Sequence, residues 1–297
     1  MAEIAASSLR TGAGGRWRAL RPLLGEPRVV WAGGFLIALA LAAIFAPFIA
    51  PKNPLEQDLM MASLPPIGFE GYEPGHYLGT DDLGRDVLSR IIFGARIALT
   101  VALVAAGLAG LIGSLLGLLA GWHRGWTDRI VSQLVAIWMS FPPVLLAVLL
   151  VAVLGSGLHA VIIAIAIIDW TRFSRVVRSE TIAQAARDYV TAAQSIGFSR
   201  RHILWRELLP NVAPVIIALL SLEMGIAVVV EAILSFVGLS ISSDAPSWGG
   251  MVAQGRQLLH DSWWVLVFPL TTLFATVLAF NLLGNGLRKA LDPVMRR

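Results

Sequence analysis

Asp188-Tyr189-Val190-Thr191-Ala192-Ala193-Gln194-Ser195-Ile196-Gly197-Phe198-Ser199-Arg200-Arg201-His202-Ile203-Leu204-Trp205-Arg206-Glu207-Leu208-Leu209-Pro210-Asn211 is the longest polar segment after the first quarter of the chain, and apolar runs flank it on both sides. Its first part sets Tyr189, Ala192, Ala193 and Ile196 on one face of a helix. Gly197 suits the left-handed residue that ends a helix. Ser199 is placed to cap a second short helix that begins at Arg200. Pro210 closes the unit and fits the first turn of the helix that follows. The stretch reads as a compact helix-turn-helix knob between two membrane spans. Nothing in it has the make-up of a reaction centre, so it is a docking element.

Composition sets the surroundings. The chain of 297 residues is 57% hydrophobic and 14% charged, where a soluble domain carries about 25% charged residues. That deficit implies a membrane. With no cysteine, a disulfide framework and a thiolate metal site are both excluded. The net charge of +4 does not indicate nucleic acid, because the basic residues gather in short polar segments between apolar runs. Ahead of the first apolar run stand Arg10, Arg16, Arg18, Arg21 and Arg28. The run 29–50 is long enough to span, so it is expected to be an uncleaved first span and not a secretory signal.

Six spans follow from apolar length: 29–50, 95–121, 130–154, 158–176, 212–236 and 263–287. The fourth is short in its purely apolar part and carries Asp169 and Arg172, which are expected to pair along one face. It is kept because the polar segments 1–28, 122–129, 171–211 and 288–297 hold most of the 23 Lys and Arg residues. Those segments share one side only with six spans and both termini in the cytoplasm. The opposite loops, 51–94 and 237–262, are acid-rich, with Glu56, Asp58, Glu70, Glu73, Asp81, Asp82, Asp86, Asp244 and Asp261. The fold class is therefore an all-α polytopic membrane protein.

Several residues invite chemistry. Asp81, Asp82 and Asp86 form an acidic cluster, and the reading preferred to a metal site is a helix start. In that reading Thr80 or Asp81 caps a short helix with acids in its first turn, and Val87, Leu88, Ile91 and Ile92 make its apolar face. Gly113, Gly117 and Gly121 recur every fourth residue, a spacing that lets another helix approach closely. Pro142 and Pro143 break the third span; a static bend and a gating hinge on the substrate path are both open. Glu223 lies near the middle of span five, where an ionised carboxylate costs ~2.5–3.5 kcal/mol. It either lines the path or makes an interhelical hydrogen bond. Glu231, two turns further out, is expected to order the outer loop. No glycine-rich loop ends in Gly-Lys-Ser/Thr and no HExxH is present, so the chain is expected neither to hydrolyse ATP nor to be an enzyme. An ion-coupled secondary transporter is the alternative of a different class, but no internal repeat supports it. A membrane-embedded hydrolase lacks a catalytic constellation.

The knob resembles the EAA loop of ABC-importer permeases: Ala192-Ala193, Gly197 four residues on, and Leu209-Pro210 twelve further. Thr191 stands in place of the usual Glu, and Glu207 in place of Ile. The segment from Gly79 through Arg90 is similar to the GTDxxGRDxxSR stretch of the dipeptide/oligopeptide/nickel-type permeases. Glu231 to Leu239, Pro246 to Met251 and Ala279 to Pro293 resemble the same subgroup, with Asn285 and Lys289 as departures. In all, the similarity covers about residues 28–294. It implies the type I ABC importer permease fold, with a transmembrane domain over 29–297, a core at about 93–287 and a coupling loop at 183–211, behind a cytoplasmic segment 1–28. It implies that Asp188, Tyr189, Ala192, Ala193, Gly197, Ser199, Arg200, Glu207, Leu209 and Pro210 form the ATPase-coupling loop. Glu223, Pro142 and Pro143 become path candidates, and Asp81, Asp82, Arg85, Asp86 and Trp248 contacts for an extracytoplasmic binding protein. It further implies a bacterial inner-membrane location, a second homologous permease and two ATP-binding subunits. ATP and Mg belong to those subunits, and no cofactor is bound by this chain. The expected substrate is a di- or oligopeptide, with nickel or a metal chelate, glutathione and glycosides as alternatives.

Overall fold

The computed structural model describes residues 25–240 and 245–291, and every element in them is helical apart from one isolated bridge between Thr80 and Asp86. The order is α1 (Pro27–Ile44), α2 (Ala46–Ile49), α3 (Val87–His123), α4 (Gly125–Met139), α5 (Pro143–Leu154) and α6 (Leu158–Ala185). It continues with α7 (Asp188–Ser195), α8 (Arg200–His202), a π-turn (Ile203–Leu208), α9 (Leu209–Phe236), α10 (Trp248–Gln257) and α11 (Trp264–Leu291). Arg10, Arg16, Arg18, Arg21, Asp244 and 292–297 lie outside the described residues.

Among the described residues, four helices are long and apolar enough to cross a membrane: α1, α3, α11 and the continuous run Arg200–Phe236. A fifth results if α4 and α5 count as one span, although they meet at 88°. The expected third span is thus not one straight rod. Pro142 and Pro143 supply no N–H to the preceding turn, the helix stops at Met139, and Pro143 starts the next one. α6 falls outside the set because Asp169, Arg172, Arg175 and Arg178 lie along it from near its middle onward. It is nevertheless longer than the expected 158–176 and runs to Ala185.

α3, at 37 residues, is ~55 Å long and exceeds the ~30 Å of a hydrocarbon core. It starts at Val87, not 95, so its first two turns belong to an outer cap built from the α2–α3 loop. α3 and α6 form the tightest seam. A Cβ placed on Gly113 would lie 2.2 Å from the Trp170 carbonyl oxygen, and one on Gly117 2.6 Å from that of Ser174. At Gly121 it would meet the Thr181 Cβ at 2.7 Å. The four-residue spacing therefore buries glycine against backbone, where dispersion contacts are densest.

Candidate functional site

The knob hangs from two helices, α6 above its start and α9 above its end. Its first helix closes in a Schellman motif: Phe198 N–H donates to the Ala193 carbonyl at 3.1 Å and Gly197 N–H to that of Gln194 at 3.0 Å. Gly197 has φ +91°, the conformation that motif requires. Ser199 caps α8 by accepting from the His202 N–H at 3.3 Å, and the Phe198 ring stacks on His202 at 4.6 Å. Tyr189 donates its hydroxyl to Gln184 Oε1 at 3.2 Å, tying α7 to α6. Burial pushes the Tyr189 phenol above its ordinary range, so it stays a neutral donor.

The inner face of the knob is Val190, Ala193, Ile203, Leu204 and Leu208, packed on Leu118 of α3 and Val177 of α6. The face that carries Tyr189, Ala192, Ala193 and Ile196 is only partly covered. Ala193 is buried, but Ala192 is exposed and Ile196 is 74% exposed. Phe198 and Trp205 are nearly half exposed. Asp188, Ser199 and Arg200 are exposed, and Glu207 is half-buried. The knob thus leaves Ile196, Phe198 and Trp205 exposed among polar residues.

Leu209 and Pro210 form the first turn of α9. The turn before them is widened: Leu209 N–H donates to the Leu204 carbonyl, five residues back. Pro210 has no N–H to continue an α-ladder, and a π-turn absorbs the mismatch. No loop intervenes between Arg200 and Phe236. The one unexpected element here is the π-turn, which sequence periodicity does not announce.

Above the knob, Arg172 of α6 and Glu223 of α9 form an ion pair at 3.2 Å. Arg172 was expected to pair with Asp169; it reaches across to the neighbouring helix instead. Asp169 is buried close enough for its charge to act on both groups. Of the two readings of Glu223, the interhelical bond is the one formed. Its side chain is 2% exposed, whereas that of Arg172 is 38% exposed. Pro142 and Pro143 lie elsewhere, exposed at the α4–α5 break. Glu231 accepts from Ser235 at 2.6 Å and from Ser240 at 3.4 Å, and the Ser240 carbonyl takes the Gly157 N–H at 2.7 Å. That chain ties the outer end of α9 to the α5–α6 turn.

In the outer cap, Asp81 is fully buried. It accepts from Arg85 Nε at 2.7 Å, from Arg90 Nη1, and from the N–H groups of Leu83 and Arg85 at 2.9 Å. Gln254 of α10 joins the cluster, accepting from Arg90 at 2.8 Å and donating to Asp82. The cap of α3 is Asp86, not Thr80 or Asp81. Asp86 accepts from the Ser89 N–H at 2.8 Å and the Ser89 hydroxyl at 2.6 Å, with His76 Nδ1 at 3.2 Å. Trp248 is 1% exposed and donates to the Ile91 carbonyl at 3.0 Å. Of the five residues expected to face a binding protein, Asp81, Arg85, Asp86 and Trp248 are therefore inside the cap, and Asp82 is at its surface. Arg90, the last residue of the Gly79–Arg90 motif, and Gln254 complete the cluster. Gln254 is neutral and distant in sequence, so no pattern marks it.

A bundle of long apolar helices, with a polar helical knob running without a break into one of them, is the architecture of a membrane-embedded helical protein. Comparison places it more closely. Residues 113–297 match the family described as binding-protein-dependent transport system inner membrane component, and residues 16–66 match the N-terminal TM domain of oligopeptide transport permease C. The chain belongs to that permease family. It is 42% identical over 265 residues to the dipeptide transport system permease protein DppC of Escherichia coli, covering 89% of this chain and 88% of the relative. It is 38% identical over 262 residues to the di/tripeptide transport system permease protein DppC of Pseudomonas aeruginosa, covering 88% and 86%. It is 40% identical over 268 residues to the glutathione transport system permease protein GsiD of Salmonella typhimurium, covering 89% and 86%. Among solved structures, a chain of the inward-facing MetNI methionine ABC transporter aligns with TM-score 0.58 and 20% identity, covering 68% of this chain and 96% of that one. The protein is a multi-pass inner-membrane permease component of a binding-protein-dependent transport system.

Proposed function

We propose that this chain forms half of the pathway of a peptide importer and is driven through the 188–208 knob. One observation carries the reading. The knob leaves Ile196, Phe198 and Trp205 uncovered while its other end runs without a break into α9. A force on the patch is thereby delivered to a span as rigid-body motion, and α6 is carried along by Tyr189–Gln184 below and Arg172–Glu223 above. The occupant of the patch is one of two ATP-binding subunits, which hold the ATP and Mg; this chain binds no cofactor.

In this reading there are six spans. α6 is the fourth, the bent pair α4–α5 is the third, and both termini lie in the cytoplasm. A second, related permease lies alongside and completes the path, which we place along the exposed break at Pro142–Pro143 with Glu223 set behind Arg172. An extracytoplasmic binding protein delivers substrate to the outer cap. The substrate class is di- or oligopeptide, supported by the names of relatives at 36–42% identity. Glutathione, named for another relative, is chemically a peptide too.

The test is a mild-detergent pull-down from the native membrane with mass spectrometry, followed by peptide uptake in proteoliposomes. Two ATPases and a second permease should copurify, and uptake should require ATP and the binding protein. Uptake by the chain alone, driven by an ion gradient, would overturn the proposal.

A further inference from the structure

Arg172 is one cation beside two buried carboxylates, and it answers only one of them. Glu223 on α9 is 2% exposed and Asp169 on α6 is 5% exposed. Arg172 reaches Glu223 across the helix boundary at 3.2 Å. Asp169 lies one turn before Arg172 on the same helix, at the i, i+3 spacing that brings two side chains together. Its carboxylate accepts no hydrogen bond among the described residues, and Arg172 is the one cation there whose charge acts on either acid. An unanswered carboxylate inside a bundle of apolar helices is costly, so the bare state of Asp169 needs a physical reason.

The bond that Arg172 does make is loose. A single nitrogen, Nη1, serves both Glu223 oxygens, at 3.2 and 3.5 Å, against ~2.7–2.9 Å for a tight charge-assisted bond. Six residues on, Arg178 shows the other mode. It grips Asp128 of α4 with two nitrogens, Nε and Nη2, the latter at 2.7 Å. Arg178–Asp128 is a fixed pin. Arg172, by contrast, makes no hydrogen bond through Nε or Nη2 among the described residues, and its side chain is 38% exposed, which gives it room to turn.

Turning from Glu223 to Asp169 exchanges one unanswered buried carboxylate for another. The loss at Glu223 is offset by the gain at Asp169, so the two arrangements lie close in energy. The helices also have backing that does not depend on the pair. α6 is held on α3 by the glycine seam. α9 is held on α11 by the Ser221 hydroxyl, which donates to the Phe280 carbonyl at 2.9 Å, and by Gly284, whose Cβ would lie 3.0 Å from the Ala218 carbonyl oxygen. Two discrete arrangements of nearly equal energy are what a conformational transition uses. We infer that Arg172 is a two-position latch. On Glu223 it ties α6 to α9, as in this structure; on Asp169 it folds back along its own helix and lets the two helices part. The inference rests on the coupling proposed above and refines it. The Tyr189–Gln184 link holds throughout, while the Arg172 link engages and releases as the knob is driven.

The test uses the assembled complex in nanodiscs. The chain has no cysteine, so Val176→Cys on α6 and Ile217→Cys on α9, both exposed, can take spin labels once the reactive cysteines of the other subunits are replaced. Double electron–electron resonance then reads the distance between them, with and without vanadate-trapped nucleotide. The complex with Arg172, Asp169 and Glu223 intact should show two distances whose ratio changes with nucleotide. Asp169→Asn should favour the shorter and Glu223→Gln the longer, each by roughly fivefold in population ratio. In an Arg172→Gln background neither substitution should matter. One distance in every sample, shifts in the same direction, or shifts that persist without the arginine would overturn the latch. A pair with a structural role alone would lower folded yield in both variants without opposite shifts. If Glu223→Gln does not assemble, Glu223→Asp, whose shorter side chain draws back from Arg172, carries the same expectation. A complex that keeps its ATPases and shows no exchange overturns the latch alone, whereas absence of ATPases bears on the proposed function.

Discussion

The outer cap and the knob are both polar insertions between spans, yet they treat their side chains in opposite ways. The cap turns its charges inward: Asp81, Arg85 and Arg90 are all buried and bonded to one another. The knob turns apolar groups outward at Ile196, Phe198 and Trp205. A buried charge cluster is complete only if every member is satisfied, and the cap meets that condition with its own residues. An exposed apolar patch on a small polar element points to a partner. The cap is thus complete in itself, whereas the knob is left with apolar groups that only a partner would cover.

The comparison can be broken most forcefully at Asp81. Asp81→Ala leaves Arg85 and Arg90 buried without their carboxylate, and loss of one member of a buried pair costs about 3–5 kcal/mol. We expect a large drop in thermal stability and in folded yield, read by fluorescence-detected size exclusion. A variant of wild-type stability would show that the cap does not depend on its charges. Next in size, Ile196→Asp should leave stability unchanged and weaken ATPase retention on the order of thirtyfold, the ~2 kcal/mol of an interface hot spot, measured by titrating the ATPase onto the solubilised permease. Unchanged retention would remove the knob from the interface.

Gly113→Ala sharpens the contrast between element and scaffold. Its Cβ has no room against the Trp170 carbonyl, and overpacking of this kind costs about 1–3 kcal/mol. Melting temperature should fall, with ATPase retention affected only as folded protein is lost. Gly197→Val has open space around its Cβ, so its penalty is confined to the positive φ, roughly 1–2 kcal/mol. Stability should fall only by that modest amount, while peptide uptake per ATP hydrolysed falls severalfold because the end of α7 is re-aimed. Full uptake in this variant would count against rigid coupling. The smallest effect is expected for Asp82→Asn at the cap surface, within about 0.5 kcal/mol, which a thermal shift assay can bound.

The knob was legible in the sequence because its signals are local. A glycine that needs φ > 0, a serine cap and a proline at a helix start each act within a few residues. The glycine seam was legible for the same reason, since spacing alone puts those glycines on one face. The broken span was half legible: Pro142–Pro143 marked the place, but the 88° angle depends on what the two halves pack against. Lys289, a departure from the family pattern, meets Glu26 at 2.8 Å, a pairing between the two ends of the described chain that no window of sequence contains.

The sequence by itself determined the membrane class, the division into apolar spans and polar connectors, and the knob. Those follow from the free energy of transfer of each segment and from backbone chemistry at single residues, neither of which needs a neighbour distant in the chain. Only the tertiary structure decided which charge answers which. Arg172 finds Glu223 on another helix and not Asp169 three residues away, and Asp81 proves to be the hub of the cap instead of its surface. The reason is the high energy of an unpaired charge away from water. It makes pairing obligatory but leaves the choice of partner to whichever helix the packing brings within reach.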